Sequence, residues 1–408
     1  MVRYWFVLGS NETVKKQRCM KLAFYYHIPL LVADGKLLAP SFLGLFIEEL
    51  AKNVSELVVV YHTANEHEQK ELDYAIQANN ITTVDLGKKT AAWHRSLFPS
   101  STLKNKLNAV ALCDAFLIRS PTPLAAAFQR YAQHPKRFFM IVGDYAEGAK
   151  QLEKKGIKNR LLQLYFNYVD KQFKAQFRTT SIFVNSPQLL EQYAPFTTSI
   201  QLIKTSTLTA SDFHQKATTA LNHPIQLLYT GRIEIAKGLN ELLEAMSQLI
   251  QKGRNIHLNI VGWENNPEKL FEQQLLEKAK QLGIEQHLTF HGKKQVGEEL
   301  NSFYRNADIY VLPSYHEGFP RTIWEAMANS LPVIATKVGG IPYYLEANKH
   351  ALLIEPKNSI AISEAIEQLI HDTNLRTQLI QNGFELVQDN TIEKQTFLMI
   401  KAMKDQMK

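Results

Sequence analysis

Short apolar runs recur along this chain, separated by stretches in which apolar residues return every three or four positions. The runs at 22–26, 57–61, 82–86, 115–119, 138–142 and 181–184 read as buried strands in the first half, and those at 225–230, 307–313 and 331–336 do so in the second. Phe42, Leu45, Phe46 and Leu50 fall at helical spacing, as do Leu239, Leu242, Leu243, Met246 and Leu249. The last stretch, 391–408, reads as a helix carrying Ile392, Phe397, Ile400 and Met403. Residues 29–38 read as a loop around Asp34 and Gly35, and the Thr- and Ser-rich 205–223 reads as a linker. Strand and helix alternate on both sides of it, which predicts an α/β fold of two doubly wound, Rossmann-like domains. The expected divisions are an extension at 1–19, a first domain at 20–215, a second at 216–388 and a terminal helix at 389–408.

The densest chemistry lies at 313–342. A strand ends at Pro313, a helix is expected to start near Pro320, a second strand follows, and Gly339-Gly340 makes a turn. Proline suits a first helical turn because its missing N–H is not needed there. The backbone N–H groups of Gly318 to Thr322 would then face the preceding loop as an anion site, reinforced by the helix dipole. Glu317 precedes the helix and Glu325 lies within it, roughly 10–12 Å away at about 1.5 Å per residue. That is too far for a shared acid–base dyad. It suits two carboxylates gripping the ends of a sugar–diphosphate–ribose chain, since each accepts both protons of a vicinal diol. A solvated helix face and a loop charge are the plainer alternative. Upstream, Gly231, Arg232 and Lys237 flank a strand-to-helix loop where two cations can hold a diphosphate.

Composition bounds the rest. At 408 residues, 45% apolar and 21% charged, the chain is an ordinary globular one with room for two cores. Cys19 and Cys113 make neither a disulfide framework nor zinc spacing, which points to the cytoplasm. No apolar run is long enough to span a bilayer, and the apolar opening at 4–8 is too short for a secretory leader. Residues 1–223 hold 27 Lys and Arg against 17 Asp and Glu, whereas residues 224–408 hold 19 against 22. A basic half implies an anionic partner. No nucleic-acid-binding motif is visible, so an anionic membrane surface fits better than nucleic acid. The stretch 150–178 interleaves Lys150, Lys154, Lys155, Lys158, Arg160, Lys171, Lys174 and Arg178 with leucines and aromatics. It reads either as an interfacial helix, peripheral on the inner face of the cell membrane, or as a helix packing its aromatics into its own domain. There is no Gly-x-Gly fingerprint, and Ala149-Lys150 follows Gly148 where a phosphate loop needs Lys and then Ser or Thr. Asp-x-Asp is absent too, so no metal site and no cofactor are expected.

Thr230-Gly231-Arg232, Lys237-Gly238, Leu258 to Gly262, Leu288 to Gly292, and Glu317-Gly318-Phe319 with Glu325-Ala326-Met327-Ala328 together resemble the donor domain of retaining family-4 glycosyltransferases of the GT-B fold. The likeness covers roughly residues 222–388. It implies two domains facing a central cleft, the terminal helix returning to the first, and a nucleoside-diphosphate sugar as donor. Glu317 would meet the sugar hydroxyls and Glu325 the ribose diol. Arg232 and Lys237 would neutralise the diphosphate with the amides of Gly318 and Phe319, and Thr322 would border the same site. The backbone at His291-Gly292-Lys293 would border the base. On the acceptor side, Gly35 and Arg119 are expected at the cleft. Where many relatives carry a histidine, this chain has Gly143-Asp144 after one strand and Arg119-Ser120-Pro121 after another. Asp144 is then a cleft carboxylate serving catalysis or a helix cap. The resemblance implies a metal-independent transferase acting with retention on a glycan or lipid-linked acceptor in cell-surface polysaccharide or glycolipid synthesis. A soluble sugar-phosphate acceptor, or a silent binding module in a polysaccharide-assembly complex, are the alternatives.

Overall fold

The computed structural model describes residues 20–89, 101–132, 136–143 and 157–407. Its first half is built on β1 (Lys21–Tyr25), a hairpin of β2 (Leu31–Ala33) and β3 (Lys36–Ala39), β4 (Glu56–Thr63), β5 (Tyr74–Ala75), β6 (Ile81–Lys88), β7 (Ala115–Ser120), β8 (Arg137–Ile141), β9 (Ser181–Val184) and β10 (Ile200–Leu202). Seven of these form one parallel sheet in the order β10-β9-β8-β7-β1-β4-β6. Its strands are nearly continuous apolar runs because helices cover both faces. Helix α1 (Ser41–Lys52) packs Leu43, Phe46, Ile47 and Leu50 into one face. The other face is covered in part by α2 (Ile157–Ala175), whose Phe173 joins Phe139 and Phe177 in the core. Cys113 is buried and unpaired, whereas Cys19 lies outside the described residues.

The second half repeats the plan. Strands β11 (Ile225–Arg232), β12 (Ile256–Trp263), β13 (Leu288–Gly292), β14 (Ile309–Leu312), β15 (Val333–Thr336) and β16 (Leu352–Ile354) form a parallel sheet in the order β13-β12-β11-β14-β15-β16. After β11 comes α3 (Leu239–Gln251), with its five periodic apolar residues fully buried. Helices α4 (Arg321–Ala328) and α5 (Thr373–Val387) follow. In each sheet the chain builds outward from one strand, then returns to build the other side. The reversals fall between β1 and β7 and between β11 and β14. Crevices outside the carboxyl ends of such strands are where α/β sheets bind ligands.

Several expectations change. Residues 29–38 are not a plain loop: β2 and β3 pair antiparallel through a turn at Asp34 and Gly35, both at positive φ. Strand β11 runs through Gly231 and Arg232 instead of ending before them, because its register with β12 continues to Arg232. The segment 205–223 is docked, not loose: Thr207 and Leu208 are buried, and Leu208 belongs to the second core. The terminal helix α6 (Ile392–Gln406) lays Ile392, Met399, Ile400 and Met403 into the first core. Phe397, expected on that face, is instead 48% exposed. The chain therefore passes between domains twice, and the two passages touch where the N–H of Ile392 donates to the carbonyl of Leu208 at 2.7 Å. Met399→Ala should destabilise the protein by about 2–5 kcal/mol through transfer and cavity terms, read as a lower urea midpoint. An unchanged midpoint would mean that α6 does not hold the first domain.

Candidate active site

The two sheet reversals face each other across a cleft, and the candidate residues cluster there. At the carboxyl end of β14 the chain turns through Ser314 and Glu317 into α4, with Pro320 as the capping residue before Arg321. Gly339, at φ +55, lets the turn after β15 lie directly on this loop, where a Cβ would collide with the Glu317 carbonyl. The N–H of Gly340 then donates to the carbonyl of Gly318 at 2.5 Å. Glu317 Oε1 accepts from Lys237 Nζ at 2.6 Å and from Ser314 Oγ at 2.8 Å. Both members of that ion pair are mostly buried, at 13% and 12% side-chain exposure. Glu317 Oε2 receives no protein donor among the described residues. Lys237 can pack so closely because Gly238 follows it at φ +68, against the backbone of Pro313.

Glu325 sits one turn into α4, buried, and not on a solvated helix face. Its Oε1 accepts from the Thr207 hydroxyl at 2.9 Å and its Oε2 from the Tyr304 hydroxyl at 2.8 Å. Tyr304 in turn lies 2.7 Å from the Thr230 hydroxyl. Burial, and then the Glu325 charge, push the Tyr304 phenol far above its ordinary pKa. The carboxylate therefore keeps one lone pair per oxygen for a ligand. It lines a cavity of about 510 Å³ with Thr230, Gly231, Arg232, Trp263 and Thr322. Arg232 is half exposed and 3.3 Å from Glu234. Lys293 bridges to the first domain through Asp73 at 3.1 Å and lies 5.3 Å from the Trp263 ring centroid. Asp73 also accepts from the Ser41 hydroxyl at 2.8 Å, and these donors outweigh its burial to hold its pKa down.

The remaining candidates separate. Arg232 borders this cavity and a neighbouring one of about 530 Å³ that also holds Phe319 and Arg119, whereas Lys237 borders neither. The ring of Phe319 stacks on Trp324 at 4.2 Å. The His291 side chain turns back to the sheet, with Nε2 2.9 Å from Asn259 Oδ1 and its ring 4.7 Å from that of Phe303. Burial, with Lys294 and His257 nearby, lowers its pKa. Gly292 stands at φ +70 beside it and Gly35 at the tip of the hairpin turn, each with open space where a side chain would point. Asp144 lies outside the described residues, one position past Gly143. Sequence reasoning did not single out Arg321, Tyr304, Thr207 or Lys204. Arg321 was readable as the residue after Pro320 in the carboxylate segment, but nothing in the sequence marked Tyr304 as a partner of Glu325. Among the described residues, no three of His, Cys, Asp or Glu converge as a metal site.

With this geometry in place, residues 211–386 match the family model for glycosyl transferases group 1. The chain is 31% identical over 169 residues to the capsular polysaccharide biosynthesis glycosyltransferase CapM of Staphylococcus aureus. That match covers 41% of this chain and 43% of CapM, so the chain spans less than half the length of that relative. It is 25% identical over 302 residues to protein CapJ of the same organism, covering 73% of each. The crystal structure of Anabaena HepE in complex with UDP superposes over 95% of this chain and 100% of HepE, with a TM-score of 0.68 at 17% identity. The arrangement of two parallel-sheet domains is thus the GT-B fold. Gly238→Ala should cost about 1–2 kcal/mol for the left-handed backbone alone, with the Pro313 collision added, and displace Lys237 from Glu317. A thermal melt indistinguishable from that of the unaltered protein would show that this close approach is not needed.

Proposed function

We propose, from the match of residues 211–386 to glycosyl transferases group 1 within a GT-B fold, that the protein is a glycosyltransferase that moves a sugar from a nucleoside-diphosphate donor to a hydroxyl acceptor, with retention and without a metal. The observation that carries this reading is the buried Glu325 carboxylate, fixed on both oxygens in the wall of a cavity that Arg232 also lines. Glu325 takes the ribose diol, and Arg232 takes the diphosphate with its planar fork. Lys237 gives one of its three ammonium N–H donors to Glu317 and offers another to the diphosphate. Glu317 directs its free oxygen to the donor sugar hydroxyls. UDP sugars are the first donors to try, since HepE has been crystallised with UDP and with UDP-glucose. In the reaction the bond from the anomeric carbon to the phosphate oxygen breaks while that carbon bonds to the acceptor oxygen on the same face. The acceptor proton passes to the departing phosphate. Cations aimed at that phosphate stabilise the charge that develops there.

Arg232→Ala and Lys237→Ala should each weaken UDP binding by about 1.5–3 kcal/mol, the worth of a hydrogen bond to a charged group. Calorimetry showing unchanged affinity in both would remove them from the donor site. Turnover should survive EDTA, and restoration by magnesium after loss would refute the metal-free reading. Glu325→Gln should chiefly weaken free UDP, whereas Glu317→Gln should spare UDP and cut turnover. The reverse pattern would exchange their roles.

We also place the protein on the cytoplasmic face of an anionic membrane, in cell-surface polysaccharide or glycolipid synthesis. Among the described residues no helix is long and apolar enough to cross a bilayer. Helix α2 buries Phe173 yet leaves Leu164 66% and Tyr168 55% exposed, on the stripe that also carries Arg160 and Lys171. A basic, aromatic stripe of this kind suits anionic headgroups, at about 1 kcal/mol per cation within a Debye length. The protein should pellet with phosphatidylglycerol vesicles at low salt and release at about 0.5 M salt, where screening is nearly complete. Arg160→Glu with Lys171→Glu should abolish pelleting and leave UDP affinity unchanged. Failure to pellet at any salt concentration would leave α2 an ordinary surface helix.

A further inference from the structure

The second cavity, about 530 Å³, lies beside the one lined by Glu325 and shares Phe42, Arg232 and Arg321 with it. Its walls are Arg119 at the end of β7, Lys204 on the first passage between domains and Arg321 at the start of α4, among Phe42, Phe46, Met140, Ile203 and Met399. None of its described lining residues is acidic. Charges withdrawn from water are ordinarily paired with carboxylates, and these three cations face aromatic rings instead. The Arg119 guanidinium lies 4.7 Å from the Tyr26 centroid, 5.5 Å from that of Phe46 and 6.0 Å from that of Phe42. Arg321 approaches the same Phe42 ring, 5.0 Å from its centroid. The Lys204 ammonium lies 5.7 Å from the centroids of both Trp324 and Tyr344.

A ring face attracts a cation without neutralising it, so the charge stays available to a ligand. The Nε of Arg119 is buried without a hydrogen-bond partner among the described residues. Burial pushes the pKa of all three cations down, and Arg321 adds to the lowering at Arg119. Glu325 eases Arg321 from the other cavity, and Asp389 eases Lys204 from outside the lining. The donor reading does not use Arg119, Lys204 or Arg321.

We propose that this cavity binds a phosphate group carried by the acceptor, between Arg119, Lys204 and Arg321. The inference rests on the transferase reading above for the word acceptor, but the phosphate site itself does not. Its place fits: an anchored phosphate leaves the rest of the acceptor to run toward Arg232, which lines both cavities and where the donor's diphosphate is proposed to lie. Phosphate, with three acceptor oxygens and up to two charges, suits two planar guanidinium forks and an ammonium better than a neutral sugar does.

Calorimetry with glucose 6-phosphate and glucose, each with and without saturating UDP, tests this directly. The phosphorylated sugar should bind at least tenfold more tightly. Arg119→Gln and Lys204→Gln should each erase most of that preference while changing UDP affinity less than threefold. Equal binding of the two sugars to the unaltered protein, whose folding is not in question, overturns the proposal unless lipid phosphate binds in the second arm. In that arm, phosphatidylcholine vesicles carrying phosphatidic acid, but not phosphatidylcholine alone, should bind and lose binding in Arg119→Gln. This would assign the phosphate to a lipid-linked acceptor. Preference in neither arm refutes the site. UDP affinity falling as far as phosphate affinity in both variants would give the cavity to the donor diphosphate and also overturn the proposal. No UDP binding by the unaltered protein would refute the donor reading alone, since the phosphate preference is also measured without UDP.

Discussion

A single buried carboxylate organises the meeting of the two domains. Glu325 reaches the first passage between them through Thr207, and the central strand β11 of the second sheet through Tyr304 and Thr230. A charge this deeply buried is tolerated only when its lone pairs are answered by donors. Removing one donor would leave the group partly unsatisfied at a cost of about 1–3 kcal/mol. The positions of α4, of the passage at Thr207 and of β11 are thereby tied to one another. The Lys237–Glu317 pair repeats the tactic a turn earlier, joining the loop after β11 to the loop after β14. Both contacts lie at the reversal of strand order, so sheet topology and site electrostatics fix the same crevice.

Much of this plan was legible along the chain. A parallel sheet covered on both faces needs continuous apolar strands, and such runs were read at six of the seven strands of the first sheet and at three of the six of the second. The carboxylate segment, with helix, strand and glycine turn, was readable because each piece has its own backbone requirement. Other features were not, for a physical reason. Tyr304, Thr207 and Glu325 meet only after the chain has folded, and hydrogen bonding between residues 118 positions apart leaves no local pattern. The hairpin at Asp34 and Gly35 escaped because its strands are too short for period-two alternation to register. Phe397 shows the opposite error, since spacing alone put an exposed ring on the buried face of α6.

Aromatic rings do unusual duty in this cleft. Around Arg119, Lys204 and Arg321 they take the place that carboxylates hold around Lys237. The two settings differ in what they leave behind. A salt bridge spends its charge locally, whereas a cation on a ring face projects its field into the cavity. The donor side of the second domain is therefore close to balanced, and the second cavity, toward the linker, is strongly positive. Of the three cations, Arg119 and Lys204 come from the basic stretch 1–223 and Arg321 from 224–408.

The two passages between domains lie side by side, joined at Leu208 and Ile392. A body hung on one thread can swivel in any direction, but a body hung on two adjacent threads is confined to folding along the line through both. Relative motion of the domains is then that of a book on its spine, with displacement growing with distance from the spine. A protease that cut the passage near Thr207 would not release either half. Met399, Ile400 and Met403, carried by the second fragment, remain embedded in the first.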